Sequence, residues 1–195
     1  LFQMKRMSMG TINSAATFQR LMDVALGGLA YQVCLAYLDD IILFSRDLDS
    51  HLSRMREVLQ RLAAAGLKLK PSKCRLLRRS VRFLGHVISE EGVATDPEKT
   101  RAVREWPVPA CLRETRAFIG LCSYYRRFVK GFAEIAAPLH NLMRKGQRFQ
   151  WSVECQSAFD QLKLALSTPP ILAMPDDVAD LVVDSDASLH SAGGV

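Results

Sequence analysis

Two short apolar runs of strand character meet across a pair of acids. Val33, Leu35 and Tyr37 lead into Leu38-Asp39-Asp40, and Ile41-Ile42-Leu43-Phe44 follow. β-branched and aromatic residues on both sides of a brief polar break predict a β-hairpin over residues 31–45, with both carboxylates at its tip. Apolar strands hold such a hairpin rigidly against a core. Adjacent aspartates repel one another and add little to fold stability. They are sensible where a divalent cation sits between them, since magnesium takes hard oxygen ligands and usually keeps phosphate oxygens in its shell. A two-metal site of that kind activates a hydroxyl and stabilises the leaving oxygen of a phosphoryl transfer. Aspartate is also a common turn residue, so the pair by itself leaves both readings open.

The segments around the hairpin read as helices and short strands. Phe18, Leu21, Met22, Ala25, Leu26 and Leu29 recur at helical spacing over residues 14–29, and Gly27-Gly28 should stop that helix. Leu48, Leu52, Met55, Leu59 and Leu62 form a second stripe ending at Gly66. The alternation Leu67-Lys68-Leu69-Lys70-Pro71 predicts a short strand closed by proline. Residues 81–88 and 93–95 flank Ser89-Glu90-Glu91-Gly92 and predict a second hairpin. Asp96-Pro97 is a helix start, with aspartate as N-cap and proline in the first turn. Pro107-Val108-Pro109 makes a corner. Three more apolar stripes follow: Leu112 to Cys122, Ile135 to Met143, and Phe159, Leu162 and Leu166. Residues 180–186 read as a strand carrying Asp184 and Asp186 on one face. The expected class is α+β, followed by a helical piece and the opening of a further sheet.

Charge and cysteine content narrow the possibilities. Residues 46–130 hold 19 Lys and Arg against 9 Asp and Glu, a surplus of ten; the remainder holds 7 against 11, which recovers the overall +6. A basic centre between acidic ends points to a polyanion. The five cysteines are scattered without CxxC spacing, which predicts reduced thiols in a cytoplasmic or nuclear protein and speaks against a zinc site. No apolar run approaches the ~18–20 residues of a membrane span, and no secretory leader is expected.

The residues become recognisable when they are taken in order. Arg6-Met7-Ser8-Met9-Gly10, Asn13 and Ala16-Thr17-Phe18-Gln19 resemble the segment before the aspartate hairpin of reverse transcriptases. Tyr37-Leu38-Asp39-Asp40-Ile41-Ile42 is similar to their catalytic hairpin. Phe83-Leu84-Gly85-His86, Trp106-Pro107, the run from Gly120 through Tyr124-Tyr125-Arg126-Arg127-Phe128, Ala137-Pro138-Leu139, Trp151 and Asp186-Ala187-Ser188 follow in the order of gypsy-like long-terminal-repeat retrotransposon Pol polyproteins. The resemblance covers essentially the whole chain.

That resemblance implies a partial right-hand polymerase palm over 1–95, a helical thumb over 96–146, and a connection with the start of an α/β ribonuclease H-like domain over 147–195. It implies RNA-directed DNA polymerase chemistry on two magnesium ions, with associated ribonuclease H. Asp39 and Asp40 would be polymerase metal ligands, and Asp186 the first metal ligand of the nuclease. Gly10, Gln19 and Tyr37 would lie by the incoming nucleotide and template. Lys73, rather than Lys68, would sit near the nucleotide phosphates. Phe83, Leu84 and Gly85 would hold the primer end, and Arg113, Arg116, Arg126 and Arg127 the nucleic-acid backbone. The implied partners are primed RNA or DNA template, deoxynucleotides, RNA–DNA hybrid and the rest of the Pol polyprotein. The implied setting is cytoplasm, virus-like particles or nucleus.

A working site of this kind needs a third carboxylate. Asp23, the only acid before the hairpin, lies inside an apolar helix and suits that role poorly. After Asp186 no further acid follows, whereas nuclease chemistry needs several. The expectation is therefore a fragment that is inactive alone. The alternative is a host-retained, non-catalytic nucleic-acid-binding protein.

Overall fold

The computed structural model describes residues 7–8 and 10–173 in full, and the backbone of 185–187 and 192–194. It divides into two compact units, Leu1–Arg78 and Arg79–Val195.

In the first unit, α1 (Ser14–Ala25) precedes a hairpin of β1 (Cys34–Tyr37) and β2 (Asp40–Leu43), and α2 (Leu48–Ala64) follows. The hairpin register pairs Cys34 with Leu43 and Tyr37 with Asp40, so the connecting turn is just Leu38-Asp39. The first turn of α2 is closed by Asp47, whose carboxylate accepts from the Ser50 amide at 2.8 Å. Those hydrogen bonds to Ser50 hold the Asp47 carboxyl below its ordinary range. The core is small: Met22, Leu26 and Leu29 meet Cys34 of the hairpin and Val58 and Leu62 of α2. Full burial of a side chain such as Leu62 is worth about 1.5–3 kcal/mol.

One expectation in this unit holds only in part and another fails. Of the α2 leucine stripe, Leu62 is buried and Met55 half-buried. Leu48, Leu52 and Leu59 are exposed, while Val58 and Leu62, one helical turn apart, carry the burial. Residues 67–70 form no strand. The Leu67 amide instead bonds the Leu62 carbonyl at 2.9 Å, closing the helix end beyond Gly66. A 3-10 turn, Pro71–Lys73, comes next. Alternation alone cannot make a strand when no neighbouring strand takes its hydrogen bonds.

In the second unit an antiparallel meander comes first: β3 (Ser80–Phe83), β4 (His86–Ser89) and β5 (Gly92–Thr95). The single strand expected over 81–88 is in fact two strands. The chain reverses at Leu84-Gly85, where both residues are left-handed, with φ of 47° and 70°. Two consecutive positive φ values are what a two-residue type I′ hairpin turn requires. The expected turn at residues 89–92 is present between β4 and β5.

Four helices follow: α3 (Pro97–Arg104), α4 (Leu112–Tyr124), α5 (Phe132–Leu142) and α6 (Val153–Ser167). Asp96 caps α3 by accepting from the Glu98 amide at 2.9 Å, and Ser152 caps α6. The buried centre gathers Val103, Phe118, Leu139, Phe159, Leu162 and Leu166, with the Phe118 and Phe159 rings 4.6 Å apart. After α6 the chain returns to the sheet, and Leu172 forms an antiparallel bridge with Val93 of β5. Last come β6 (Ser185–Ala187) and β7 (Ala192–Gly194), paired with Asp186 opposite Gly193. Asp184 lies outside the described residues, as do Arg6 and Met9.

Candidate active site

The hairpin tip sets two acids side by side in the first unit. Asp39 is the second residue of the turn and Asp40 the first of β2, and both are exposed. Among the described residues neither carboxylate has a salt-bridge partner, although the chain is basic. Leu38 begins the turn with φ of 50°, a conformation that costs a β-carbon residue about 1 kcal/mol.

One side chain holds that turn in place. The Gln19 amide reaches from α1, accepts from the Leu38 amide at 2.7 Å, and donates to the Ala36 carbonyl at 3.3 Å. It also donates to the Asp23 carboxylate at 2.9 Å. Gln19 thus bonds the backbone on both sides of Tyr37, directly before the two acids. Sequence reasoning picked out Gln19 and set Asp23 aside; the structure joins them in one hydrogen-bonded chain.

The other expected residues take separate places. Gly10 has φ of 82° and open space around it, consistent with a backbone conformation that favours glycine. Tyr37 is half exposed, and Lys73 is exposed at the end of its 3-10 turn. In the second unit, Phe83, Leu84 and Gly85 form the end of β3 and its turn and are partly buried. Arg113 and Arg116 lie one turn apart on α4, and Arg126 and Arg127 lie in the 3-10 turn after it. All four arginines are exposed and free of salt bridges among the described residues. Asp186 falls within β6. Among the described residues no cluster of three or more His, Cys, Asp or Glu side chains has metal-site geometry.

The structure adds groups that residue-by-residue reading did not single out. Arg82, Arg101 and Arg104 line a surface groove of about 590 Å³ with Glu98. Tyr124 and Tyr125 bond the Leu84 and Gly85 carbonyls from forty residues away. Burial, reinforced by Tyr124 and Asp96, pushes the Tyr125 hydroxyl up to about 12. Its folded value therefore lies above its unfolded one. The stability it contributes is complete below pH 10 and falls as pH rises toward 12. Between pH 8 and pH 11 the wild type is expected to lose about 1.4 kcal/mol more than Tyr125→Phe, at 1.36 kcal/mol per unit of difference. Urea denaturation at the two pH values reads this, and equal losses would contradict it.

The first unit presents two exposed carboxylates on a hairpin whose turn is clamped from α1, and the second carries exposed arginines on α4 and the 3-10 turn after it. Residues 1–88 match the family described as reverse transcriptase (RNA-dependent DNA polymerase), and residues 151–195 match the RNase H-like domain found in reverse transcriptase. The whole chain is 39% identical over 195 residues to the retrovirus-related Pol polyprotein from transposon 297 of Drosophila melanogaster, covering 18% of it. It is 32% identical to the corresponding polyprotein from transposon gypsy of the same species, covering 20%, and 30% identical to the transposon Tf2-3 polyprotein of Schizosaccharomyces pombe, covering 15%. Among solved structures, the foamy viral protease-reverse transcriptase in complex with double-stranded DNA superposes with a TM-score of 0.82 at 29% identity, over 94% of this chain and 32% of that one. The same viral protein with an RNA/DNA hybrid gives 0.78 over 25% of its length. The chain is thus similar along its whole length to the reverse transcriptase–RNase H-like stretch of the gypsy-type Pol polyproteins. It spans about a fifth of the length of the curated relatives it matches.

Proposed function

We propose that this chain contributes the aspartate hairpin, the primer-holding turn and the arginine-bearing helices of an RNA-directed DNA polymerase with associated ribonuclease H. In that reaction the primer 3′ hydroxyl gives up its proton to solvent and its oxygen forms a bond to the nucleotide α-phosphorus. The bond between the α-phosphorus and its bridging oxygen breaks, and pyrophosphate leaves. The observation that carries this reading is the hairpin tip: two adjacent carboxylates, exposed and free of cation partners among the described residues, on a turn held by Gln19.

Reverse transcriptases use divalent metal ions, and this donor set fits magnesium, since carboxylate oxygens are hard ligands and these two have no salt-bridge partner among the described residues. Bound there, magnesium would supply positive charge to the reacting phosphate oxygens. Gln19 keeps the backbone before Asp39 in one shape. Tyr37, Gly10 and Lys73 serve nucleotide and template, and Phe83-Leu84-Gly85 serves the primer end. The free arginines of α4 and the 3-10 turn give sequence-independent affinity for the duplex backbone, which weakens with salt. Asp186 begins the nuclease site. The partners are primed template, deoxynucleotides, RNA–DNA hybrid and the remainder of the polyprotein. All five cysteines are free, in keeping with a reducing cytoplasmic or nuclear setting.

The test exchanges this chain for the matching stretch of the transposon 297 polyprotein and measures primer extension. The purified chimera is expected to extend a primed template, and Asp39→Asn to slow it about 10²–10³-fold, as loss of one preorganised electrostatic group does elsewhere. Undiminished synthesis by the Asp39→Asn chimera would overturn the assignment. The 195-residue chain assayed by itself is expected to bind primed template without extending it.

A further inference from the structure

The Leu84-Gly85 turn is held more firmly than a hairpin turn needs. A two-residue turn with both φ values positive favours Asn-Gly or Asp-Gly, yet a leucine stands first, at φ of 47°. Four donors converge on the two carbonyls of this turn. The Leu84 carbonyl accepts from the Tyr124 hydroxyl and lies 2.9 Å from His86 Nδ1. The Gly85 carbonyl accepts from the Tyr125 hydroxyl at 2.6 Å and from the Asp96 amide at 3.2 Å. A β-carbon on Gly85 would come within 3.3 Å of the Tyr125 hydroxyl oxygen, so the clasp and the glycine fit one another.

The rings behind these hydroxyls are locked. Tyr124 ends α4 and Tyr125 caps it, and their planes are perpendicular with centroids 4.9 Å apart. The His86 imidazole lies 5.3 Å from the Tyr124 ring, 5.6 Å from Tyr125 and 5.8 Å from Phe128. Phenylalanine would fill the same space. What tyrosine adds at both positions is a hydroxyl, and each of the two hydroxyls ends on the same turn. A left-handed leucine persists only where its surroundings over-determine it, a pattern that concentrates at functional sites.

From this convergence we infer that Tyr124 and Tyr125 are positioning residues: their hydroxyls fix the shape of the Leu84-Gly85 turn so that it can receive a primer 3′ end. The inference rests on the reading of residues 83–85 given under Proposed function. Neither tyrosine needs to touch nucleic acid for this. Each acts through the backbone carbonyl it bonds.

The experiment uses the 195-residue chain and the variants Tyr124→Phe, Tyr125→Phe and the double. Amide hydrogen exchange is read at His86, which closes the turn, and across α6 as an internal reference. Binding is read on a recessed-3′ primer–template and on a continuous duplex of equal length. In the double variant exchange at His86 is expected to quicken at least tenfold with α6 unchanged. Affinity for the recessed end is expected to fall about five- to tenfold, and for continuous duplex less than twofold, on the scale of one or two hydrogen bonds. Unchanged His86 exchange would overturn the clasp. Equal losses on both duplexes, or no loss on either, would overturn its role at the primer end. A wild-type chain with no preference for the recessed end would instead overturn the primer reading of residues 83–85, while the exchange result still judges the clasp. The single Tyr124→Phe variant, at a half-exposed ring, keeps the test open should the double fail to fold.

Discussion

Gly92→Ala is expected to destabilise the 79–195 unit by about 3–4 kcal/mol, measured by chemical denaturation. Gly92 is buried at the start of β5 with φ of 131°, a backbone conformation that an alanine rarely adopts. A β-carbon there would lie 2.2 Å from the Leu172 carbonyl oxygen and 3.0 Å from the carbon that bears it. Both are backbone atoms, so no side chain can swing aside. Relief requires the segment after α6 to leave the sheet. That movement would break the bonds from the Val93 amide to the Leu172 carbonyl, 2.8 Å, and from the Leu172 amide to the Val93 carbonyl, 2.9 Å. Each such bond is worth about 1 kcal/mol net, and the left-handed alanine adds 1–2 kcal/mol. A change below 1 kcal/mol would show that the return of the chain to β5 contributes nothing to the unit.

Phe118→Ala is expected to cost about 3–5 kcal/mol in the same unit, the range for deleting a buried phenylalanine. The Phe118 ring is fully buried on α4. It lies 4.6 Å from the Phe159 ring of α6 and 6.0 Å, edge-on, from Trp106 after α3. One side chain therefore ties three helical segments together, and its removal leaves a hole that packed helices close only in part. The signature should be a lower denaturation midpoint with helical circular dichroism intact in buffer. A loss under 1 kcal/mol would mean that the core tolerates collapse around the site. Because Tyr124 and Tyr125 complete and cap the same helix, binding of a recessed primer end should weaken alongside stability.

Local signals were legible where the physics is local. Asp96-Pro97 starts α3 as expected, because capping and a proline in the first turn involve only neighbouring residues. The 34–43 hairpin was legible because short apolar runs rich in β-branched and aromatic residues flank a brief acidic break. Features that depend on a distant partner were not. Leucine at 84 reads as strand, and only Tyr124 and Tyr125, forty residues on, make a turn of it. The alternation at 67–70 reads as strand too, and only the absence of a pairing neighbour among the described residues denies it. In α2 the leucine stripe included Leu62, which the small core beside the hairpin buries, but missed Val58 one turn before it.

The order of motifs was enough to assign the lineage, the α+β class and the paired acids of the hairpin, because each of these is written in contiguous residues. Tertiary structure alone decided that Gln19 clamps the turn before those acids, that two tyrosine hydroxyls seize the Leu84-Gly85 carbonyls, and that Leu172 returns to Val93. Hydrogen bonds between groups 17 to 79 positions apart leave no periodicity in a sequence. Folding must bring the partners together before either end of the bond has a meaning.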